Sequence, residues 1–173
     1  MHDGDAAGIC GIDASLLRVK RFDEGGVDLG FVGGITHVNT QFLNMLLDHG
    51  IMPVIAPVGV SASGEPHNVN ADVAASAIAA ALQAEKLVFL SDVEGVMADG
   101  SLVKSMDQDE GERLMDTGII NNGMIPKIRS AFNVFSRTEH RMRDSIQKFN
   151  AALSDNVPRN ATYKVIINKA AKT

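Results

Sequence analysis

The chain has 173 residues, an apolar fraction of 45% and one cysteine, Cys10, which excludes an intrachain disulfide and a metal site built from several cysteines. Residues 1–138 carry 9 Lys and Arg against 18 Asp and Glu, whereas residues 139–173 carry 7 against 3, so the acidic body excludes the basic footprint of general nucleic-acid binding. No apolar run approaches the roughly 20 residues of a membrane-spanning helix, and the first residues lack the regions of a signal peptide, so we expect a soluble, cytoplasmic protein.

Two short strand-like segments open the chain, and a helix follows them. Ala7–Ile12 and Leu16–Arg21 are separated by the turn-forming residues Asp13-Ala14-Ser15, and this order predicts a hairpin. Helix signals then run over residues 39–50, where Asn39 or Thr40 can cap the start and Gly50 ends the apolar periodicity.

The middle of the chain alternates strand and helix patterns. Met52–Val58 is predicted as a buried strand near a sheet edge, and a turn at residues 61–65 leads into a return strand. Ala71–Ala84 is an Ala-rich helix, and Lys86–Leu90 is a continuous apolar strand of the parallel type, buried on both faces. A strand, a helix and a strand in this order indicate a crossover, which favours a mainly parallel sheet with helices on its faces.

The last third of the chain predicts two helices and a final strand. Residues 107–117 form an acidic helix, and a second helix has Pro126 in its first turn and runs to at least Phe135. The helical pattern continues to about Leu153, and residues 163–168 are predicted as a short strand. The basic side chains of this tail could contact phosphates, although such a run is more often a solvated helix face.

Polar side chains lie at the N-terminal end of the Ala-rich helix. In Asn68-Val69-Asn70-Ala71-Asp72, Asn70 is suited to cap the helix, and Asp72 falls in the first turn, where the helix dipole favours a negative charge. Taken alone, this segment predicts only a capped, buried helix.

Two further segments carry polar residues at places where a ligand can bind. Ser91 and Asp92 follow the apolar strand, and ligands of parallel sheets bind beyond the carboxyl ends of the strands. Lys127 lies at a helix start after Gly123-Met124-Ile125-Pro126, where free N–H groups and the dipole attract anions. Each residue alone is more often a turn former or a surface residue, so the functional interpretation depends on their joint occurrence.

The order and spacing of these segments resemble the amino-acid kinase family, most closely its N-acetylglutamate kinases. The similarity covers roughly residues 6–137 and rests on five segments, which are Asp28–Gly33, Ile51–Gly59, Asn68–Asp72, Leu90–Val96 and Gly123–Lys127. The resemblance implies an α/β fold, a three-layer αβα sandwich with a mainly parallel sheet, of which this chain has a part. Residues 1–137 would form a partial kinase-like domain, and residues 138–173 a divergent basic tail, helical and then a short strand.

The resemblance also implies a reaction and a set of roles. The γ-phosphoryl group of ATP would pass to the side-chain carboxylate of N-acetyl-L-glutamate in arginine biosynthesis, with Mg²⁺ bound through the nucleotide. Asn68 would bind the substrate, Asp72 would orient catalytic lysines, and Lys127 would stabilise the transferring phosphoryl group. Three residues would line the ATP site, namely Ser91, Asp92 and Met124. No dedicated metal site is predicted.

The sequence departs from the family pattern in two places. The family begins with a lysine-bearing strand, a Gly-Gly loop and a substrate-binding arginine, none of which this sequence contains. After Arg137 the tail differs from the expected glycine-containing link and strand. We therefore expect little or no turnover from these residues alone, and an exposed sheet edge that favours homo-oligomers.

Three interpretations stay open at this stage. The first is an acetylglutamate kinase-like enzyme, with a related carboxylate or carbamate substrate as a variant of it. The second is a non-catalytic nucleotide-binding module of that family. The third is a structural α/β domain whose motifs are relics. ATP binding distinguishes the third interpretation from the other two, and phosphoryl transfer distinguishes the first from the second.

Overall fold

The computed structural model describes residues 4–24, 27–90, 95–120, 123–135 and 165–168. The chain divides into two compact units, Met1–Ala81 and Leu82–Thr173. Ser91, Asp92 and the predicted helical pattern over residues 136–153 lie outside the described residues. None of the helices in the described ranges combines the length and the apolar character that crossing a bilayer requires.

The first unit contains six strands and two helices in its described part. They are β1 (Ala6–Cys10), β2 (Leu17–Glu24), β3 (Val27–Val38), α1 (Thr40–Asp48), β4 (Met52–Ala56), β5 (Val58–Val60), β6 (Pro66–Asn68) and α2 (Ala71–Ala81). β1 and β4 pair in parallel, with Ala6 opposite Met52 and Cys10 opposite Ala56. The predicted helix over residues 39–50 and the predicted return strand after residue 65 are both confirmed.

The other four strands of this unit close into a small barrel. β2 pairs antiparallel with β3, and β5 pairs antiparallel with β6, while parallel pairings of β2 with β5 and of β3 with β6 complete the ring. Val19 fills its interior against two glycines. A Cβ at Gly33 would lie 2.9 Å from the Val19 Cβ, and one at Gly59 would lie 2.3 Å from the Val19 Cγ1, so the packing of this barrel requires glycine at both positions.

The predicted hairpin between the first two strands is wrong. β1 pairs with β4, and β2 pairs with β3 and β5. A short 3₁₀ turn over Asp13–Ser15 intervenes, and the Asp13 Oδ2 accepts a hydrogen bond of 2.7 Å from the Cys10 N–H. Turn-forming residues indicate that the chain changes direction, but they do not specify which strand becomes the partner.

The second unit has two helices and two strand pairs in its described part. Its elements are β7 (Lys86–Phe89), β8 (Met97–Ala98), β9 (Ser101–Leu102), α3 (Gln108–Asp116), α4 (Ile125–Phe135) and β10 (Val165–Asn168). α3 and α4 meet in a hydrophobic cluster, whose buried members are Leu114, Ile120, Ile128 and Phe132. The two predicted helices are confirmed, and the Asp107 side chain caps α3 by accepting a 2.9 Å hydrogen bond from the Glu110 N–H.

Two elements differ in detail from their predictions. α2 ends at Ala81 rather than Ala84, because Gln83 adopts a left-handed φ of 51° that cannot continue a helix. β7 pairs antiparallel with β10, its partner among the described strands, and its four residues are half-buried. An apolar run indicates burial but not the direction of the neighbouring strand. The predicted α/β fold class is confirmed, with parallel pairs β1–β4, β2–β5 and β3–β6.

Candidate active site

The first group of predicted site residues lies where β6 leads into α2. Asn68 is the last residue of β6 and is exposed, and its backbone pairs with Val58 on β5 and with Val32 on β3. The next residue, Val69, is 2% exposed, and its N–H donates a 3.0 Å hydrogen bond to the Pro57 carbonyl. Asn68 is therefore presented to solvent from a backbone that is held on both sides and anchored by a buried neighbour.

Asn70 caps α2 as the sequence predicts. Its Oδ1 accepts hydrogen bonds from the N–H groups of Asp72 at 3.0 Å and Val73 at 3.2 Å, and its carbonyl accepts from Ala74 at 2.9 Å. The cap satisfies two of the N–H groups that a helix start otherwise leaves without a partner. Asp72 is half-buried in this first turn. The capped turn holds its backbone in place, and the helix dipole favours its negative charge there.

Ser76, which sequence reasoning did not single out, lies one helical turn after Asp72. Residues four apart share a helix face, so both side chains lie on the same side of α2. Ser76 is 6% exposed, and its Oγ has no hydrogen-bond partner among the described residues. Alanines surround Ser76 in the sequence. A serine among alanines does not indicate, from sequence alone, that its hydroxyl lacks a hydrogen-bond partner.

The barrel also buries a histidine beside Asn68. His67 is 5% exposed, its Nδ1 lies 3.1 Å from the Glu65 carbonyl, and its ring meets Phe31 edge-on with centroids 5.7 Å apart. The alternation of exposed Pro66, buried His67 and exposed Asn68 follows from the two-residue period of a strand. That alternation directs the Asn68 side chain away from the barrel interior.

The second group lies at the start of α4. The Met124 carbonyl accepts a 3.1 Å hydrogen bond from the Ile128 N–H, which begins the helix, and Lys127 is half-buried in its first turn. Pro126 lacks an N–H group, so proline there leaves no donor without a partner. The Met124 side chain is half-buried and packs against the cluster of α3 and α4, so it contributes to the core of this unit.

The structure thus brings the predicted residues together in two pairs. Asn68 and Asp72 lie at the start of α2, and Met124 and Lys127 lie at the start of α4. Ser91 and Asp92, the other two predicted nucleotide-binding residues, lie outside the described residues, just beyond Leu90, the residue that follows β7.

The electrostatics of the two groups suit different ligands. The start of α4 combines the positive end of a helix dipole with the Lys127 ammonium group, which fits a phosphate. The start of α2 carries a carboxylate and two amide side chains, which fit cationic and polar groups. Within the described ranges, no three His, Cys, Asp or Glu side chains are grouped so that they could hold a metal ion. Mg²⁺ that is bound mainly by phosphates and water does not require such a group.

Comparison with known proteins gives the family. A sequence model of the amino acid kinase family matches residues 1–143. The chain belongs to the amino acid kinase family. It is 47% identical over 131 residues to the acetylglutamate kinase of Halalkalibacterium halodurans, in a match that covers 76% of this chain and 50% of that protein. It is 45% identical to the acetylglutamate kinase of Aquifex aeolicus, over 76% of this chain and 48% of that protein.

Solved structures agree with this membership of the amino acid kinase family. The N-acetylglutamate synthase of Neisseria gonorrhoeae, complexed with coenzyme A and L-arginine, superposes with a TM-score of 0.70 at 26% identity, over 81% of this chain and 32% of that chain. A protein of Streptococcus mutans superposes with a TM-score of 0.72 at 29% identity, over 78% of this chain and 54% of that chain. The chain spans about half the length of the curated relatives it matches.

Proposed function

We propose that this amino acid kinase chain is an acetylglutamate kinase-like phosphotransferase. The reaction would move the γ-phosphoryl group of ATP to the side-chain carboxylate of N-acetyl-L-glutamate. The observation that carries the proposal is the sequence identity of about 45% to acetylglutamate kinases, and the capped Asn68–Asp72 segment of the first unit and Lys127 at a helix start of the second unit support it. In this proposal residues 1–137 are a partial kinase domain and residues 138–173 a divergent tail.

The ionisation state of the accepting carboxylate determines the roles of Asn68 and Asp72 in this proposal. The accepting carboxylate is already ionised near neutral pH, since a glutamate side chain has a pKa of about 4.3, so the reaction needs no general base. Asp72 would instead orient the ammonium groups that approach the reacting atoms. Asn68, with one amide donor group and one amide acceptor, would bind the polar groups of N-acetyl-L-glutamate.

The residues at α4 would supply positive charge. A carboxylate and a phosphate repel each other as they approach, and phosphoryl transfer depends mainly on positioning and on neutralising that charge. Lys127 would stabilise the transferring group at the positive end of α4. Mg²⁺ bound through the nucleotide would supply further positive charge. Ser91, Asp92 and Met124 would line the nucleotide site.

A non-catalytic nucleotide-binding module is the second candidate function. The chain spans about half the length of the curated relatives it matches, and removing a positioned charge from a phosphoryl-transfer site typically costs orders of magnitude in rate. We therefore expect weak or absent turnover from this chain alone. A cytoplasmic location and homo-oligomers stay predictions.

A hydroxylamine assay tests the kinase proposal directly, since acyl phosphates react with hydroxylamine to give hydroxamates, which form coloured complexes with iron(III). The purified chain is incubated with Mg·ATP and N-acetyl-L-glutamate, with Asp72→Asn as the inactive control. Hydroxamate that forms with wild type and not with Asp72→Asn supports the enzyme. Saturable Mg·ATP binding without hydroxamate supports the second candidate, and a folded chain that does neither contradicts both.

A further inference from the structure

A two-residue loop in the second unit places an aspartate directly before a glycine. The loop connects β8 to β9, and both of its residues, Asp99 and Gly100, are exposed. Their φ values are 50° and 76°, and a type I′ hairpin turn requires positive φ at both central positions. Asp-Gly is one of the residue pairs that favour this turn, so the hairpin explains the pair. The same pair also makes the chain chemically reactive at this loop.

The Asp99 carboxyl group is not held by other groups of the protein. In the part of the chain that the structure describes, its oxygens have no hydrogen bond and no ion pair. By contrast, carboxylate oxygens accept hydrogen bonds from backbone N–H groups at three other aspartates of turns and helix caps, which are Asp13, Asp28 and Asp107. The Asp99 side chain can therefore rotate toward its own backbone without losing an interaction.

Rotation toward the backbone brings the Asp99 carboxyl carbon to the amide nitrogen of the next residue. The Gly100 nitrogen attacks that carbon, a C–N bond forms, and the hydroxyl group of the protonated carboxyl leaves with the amide proton as water. The product is a five-membered succinimide. Water then opens the ring at one of its two carbonyl groups, which gives either aspartate again or isoaspartate, whose main chain runs through the former side chain. The water lost in the first step is regained in the second, so no oxidant, reductant or further reactant is consumed.

Two features of the loop leave this route open. Glycine has no side chain to block the attack, and nothing lies within 4 Å of a Cβ built at Gly100. The hairpin is also short, since β8 and β9 contribute two residues each and Ala98 opposite Ser101 is the pair next to the loop. Two-stranded hairpins are marginally stable, and exposed loops open at a low cost in free energy, so the backbone can leave the turn conformation when the ring closes.

We propose that Asp99 is a site of spontaneous isomerisation to isoaspartate, and that this modification weakens the packing of the second unit. Isoaspartate adds one methylene group to the main chain inside a two-residue loop, which changes the geometry that pairs β8 with β9. Val96, which precedes β8, and Ala98 in β8 pack against the hydrophobic cluster of α3 and α4. A hydrogen bond of 2.8 Å from the Val103 N–H to the Val96 carbonyl holds this end of the hairpin. Loss of the turn would loosen these contacts.

Timed incubation of the folded chain near neutral pH tests the proposal. Tandem mass spectrometry of peptides, with labelling by protein isoaspartyl methyltransferase, measures isoaspartate at each aspartate. Urea denaturation measures the stability of the second unit before and after incubation. Asp99→Gly removes the reacting carboxyl and leaves a Gly-Gly pair, which also suits a type I′ turn. Asp28 and Asp107 are controls within the same chain.

Two other reactive pairs are separated from Asp99 in this measurement. Residues 3–4 are also Asp-Gly but lie in a different proteolytic peptide, and deamidation of the Asn-Gly pair at residues 122–123 changes the peptide mass, whereas isomerisation does not. Both pairs are present in the wild type and in Asp99→Gly, so their effects on stability cancel in the comparison.

The expected result is isoaspartate at Asp99 that rises with time and exceeds the fraction at Asp28 and Asp107 several-fold. The urea midpoint of the second unit should fall further in the incubated wild type than in incubated Asp99→Gly. Equal isoaspartate fractions at the three aspartates would overturn the proposal. Isoaspartate at Asp99 with an equal loss of stability in both chains would overturn its structural consequence.

Discussion

The two helices that carry the described site residues begin in opposite ways. α2 starts with a side-chain cap, because the Asn70 amide oxygen accepts from two N–H groups of its first turn and Asp72 adds a negative charge. α4 begins at Ile125, and its first turn carries the positive charge of Lys127. The cap of α2 satisfies two of its first N–H groups, and the charges in the two first turns are opposite in sign.

In the function proposed above, the two helix starts have separate tasks. Asp72 beside the capped helix start would attract ammonium groups, and the Asn68 amide at the end of β6 would bind polar groups of a small substrate. The Lys127 ammonium group in the first turn of α4 would attract a phosphate there. The predictions below test the interactions at these helix starts and elsewhere in the two units, in order of decreasing expected effect.

Packing should hold the start of α4. Phe132 is 6% exposed in the cluster between α3 and α4, and a Cβ at Gly111 would lie 2.4 Å from its ring, so the two helices are in close contact there. Phe132→Ala should lower the free energy of unfolding of the second unit by about 3–5 kcal/mol. Urea denaturation measures the loss. Phe31→Ala, at a phenylalanine that is 66% exposed, is the control and should cost much less. Equal losses would contradict the packing argument.

Capping should hold the start of α2. Asn70→Ala removes the acceptor of two hydrogen bonds and should destabilise the first unit by about 1 kcal/mol. Asn70→Asp keeps an acceptor oxygen and should retain most of the stability. Hydrogen–deuterium exchange of the Asp72 and Val73 amides should accelerate in the alanine variant alone. Unchanged exchange in that variant would show that the cap does not hold the helix start.

The unpartnered hydroxyl of Ser76 should contribute nothing to stability. Its burial without a hydrogen bond costs free energy, so Ser76→Ala should be neutral or stabilising by up to about 1 kcal/mol. Ser130 on α4 is buried to the same 6% exposure, and Ser130→Ala controls for the removal of a buried helical hydroxyl. A loss of stability that is specific to Ser76→Ala would mean that this hydroxyl has a partner in solution.

The smallest effect should come from Asp28, far along the chain from either helix start. The Gly30 N–H and then the Arg21 guanidinium hold the pKa of the Asp28 carboxyl below its ordinary value of 3.8. A lowered pKa in the folded state gives stability that is present above the unfolded pKa and is lost as the pH falls through the folded value. Melting temperatures measured from about pH 6 to pH 2 should therefore fall slightly more for wild type than for Asp28→Asn. Parallel pH profiles would contradict this assignment.

Local signals predicted those parts of the fold that depend on neighbouring residues. Asn70 caps its helix as predicted, Asn39 is one of the two predicted starting residues of its helix and caps it, and the turn at residues 61–65 joins β5 to β6 as expected. Capping and turn formation involve residues two to four positions apart, so the sequence carries the whole signal.

Pairing and burial depended on residues distant in the sequence, and there the prediction was incomplete. The partner of β1 is β4, more than 40 residues away, and the turn after β1 gave no sign of it. The burial of His67 depends on Phe31 and on glycines of the barrel, which no local pattern connects. Local signals placed Asp72 and Lys127 at helix starts, whereas their site roles and that of Asn68 came from the family resemblance and not from any local pattern.

The start of α4 as a phosphate site is the central claim, and calorimetric titration of Mg·ATP into the folded chain tests it most directly. Lys127→Ala is compared with Arg129→Ala, which removes the same charge two residues further along α4, where the side chain is exposed. The account predicts saturable binding that Lys127→Ala weakens roughly tenfold or more, since hydrogen bonds to charged groups contribute about 1.5–3 kcal/mol, while Arg129→Ala leaves it nearly unchanged. Binding that both variants weaken equally, or no binding to folded wild type, would contradict it.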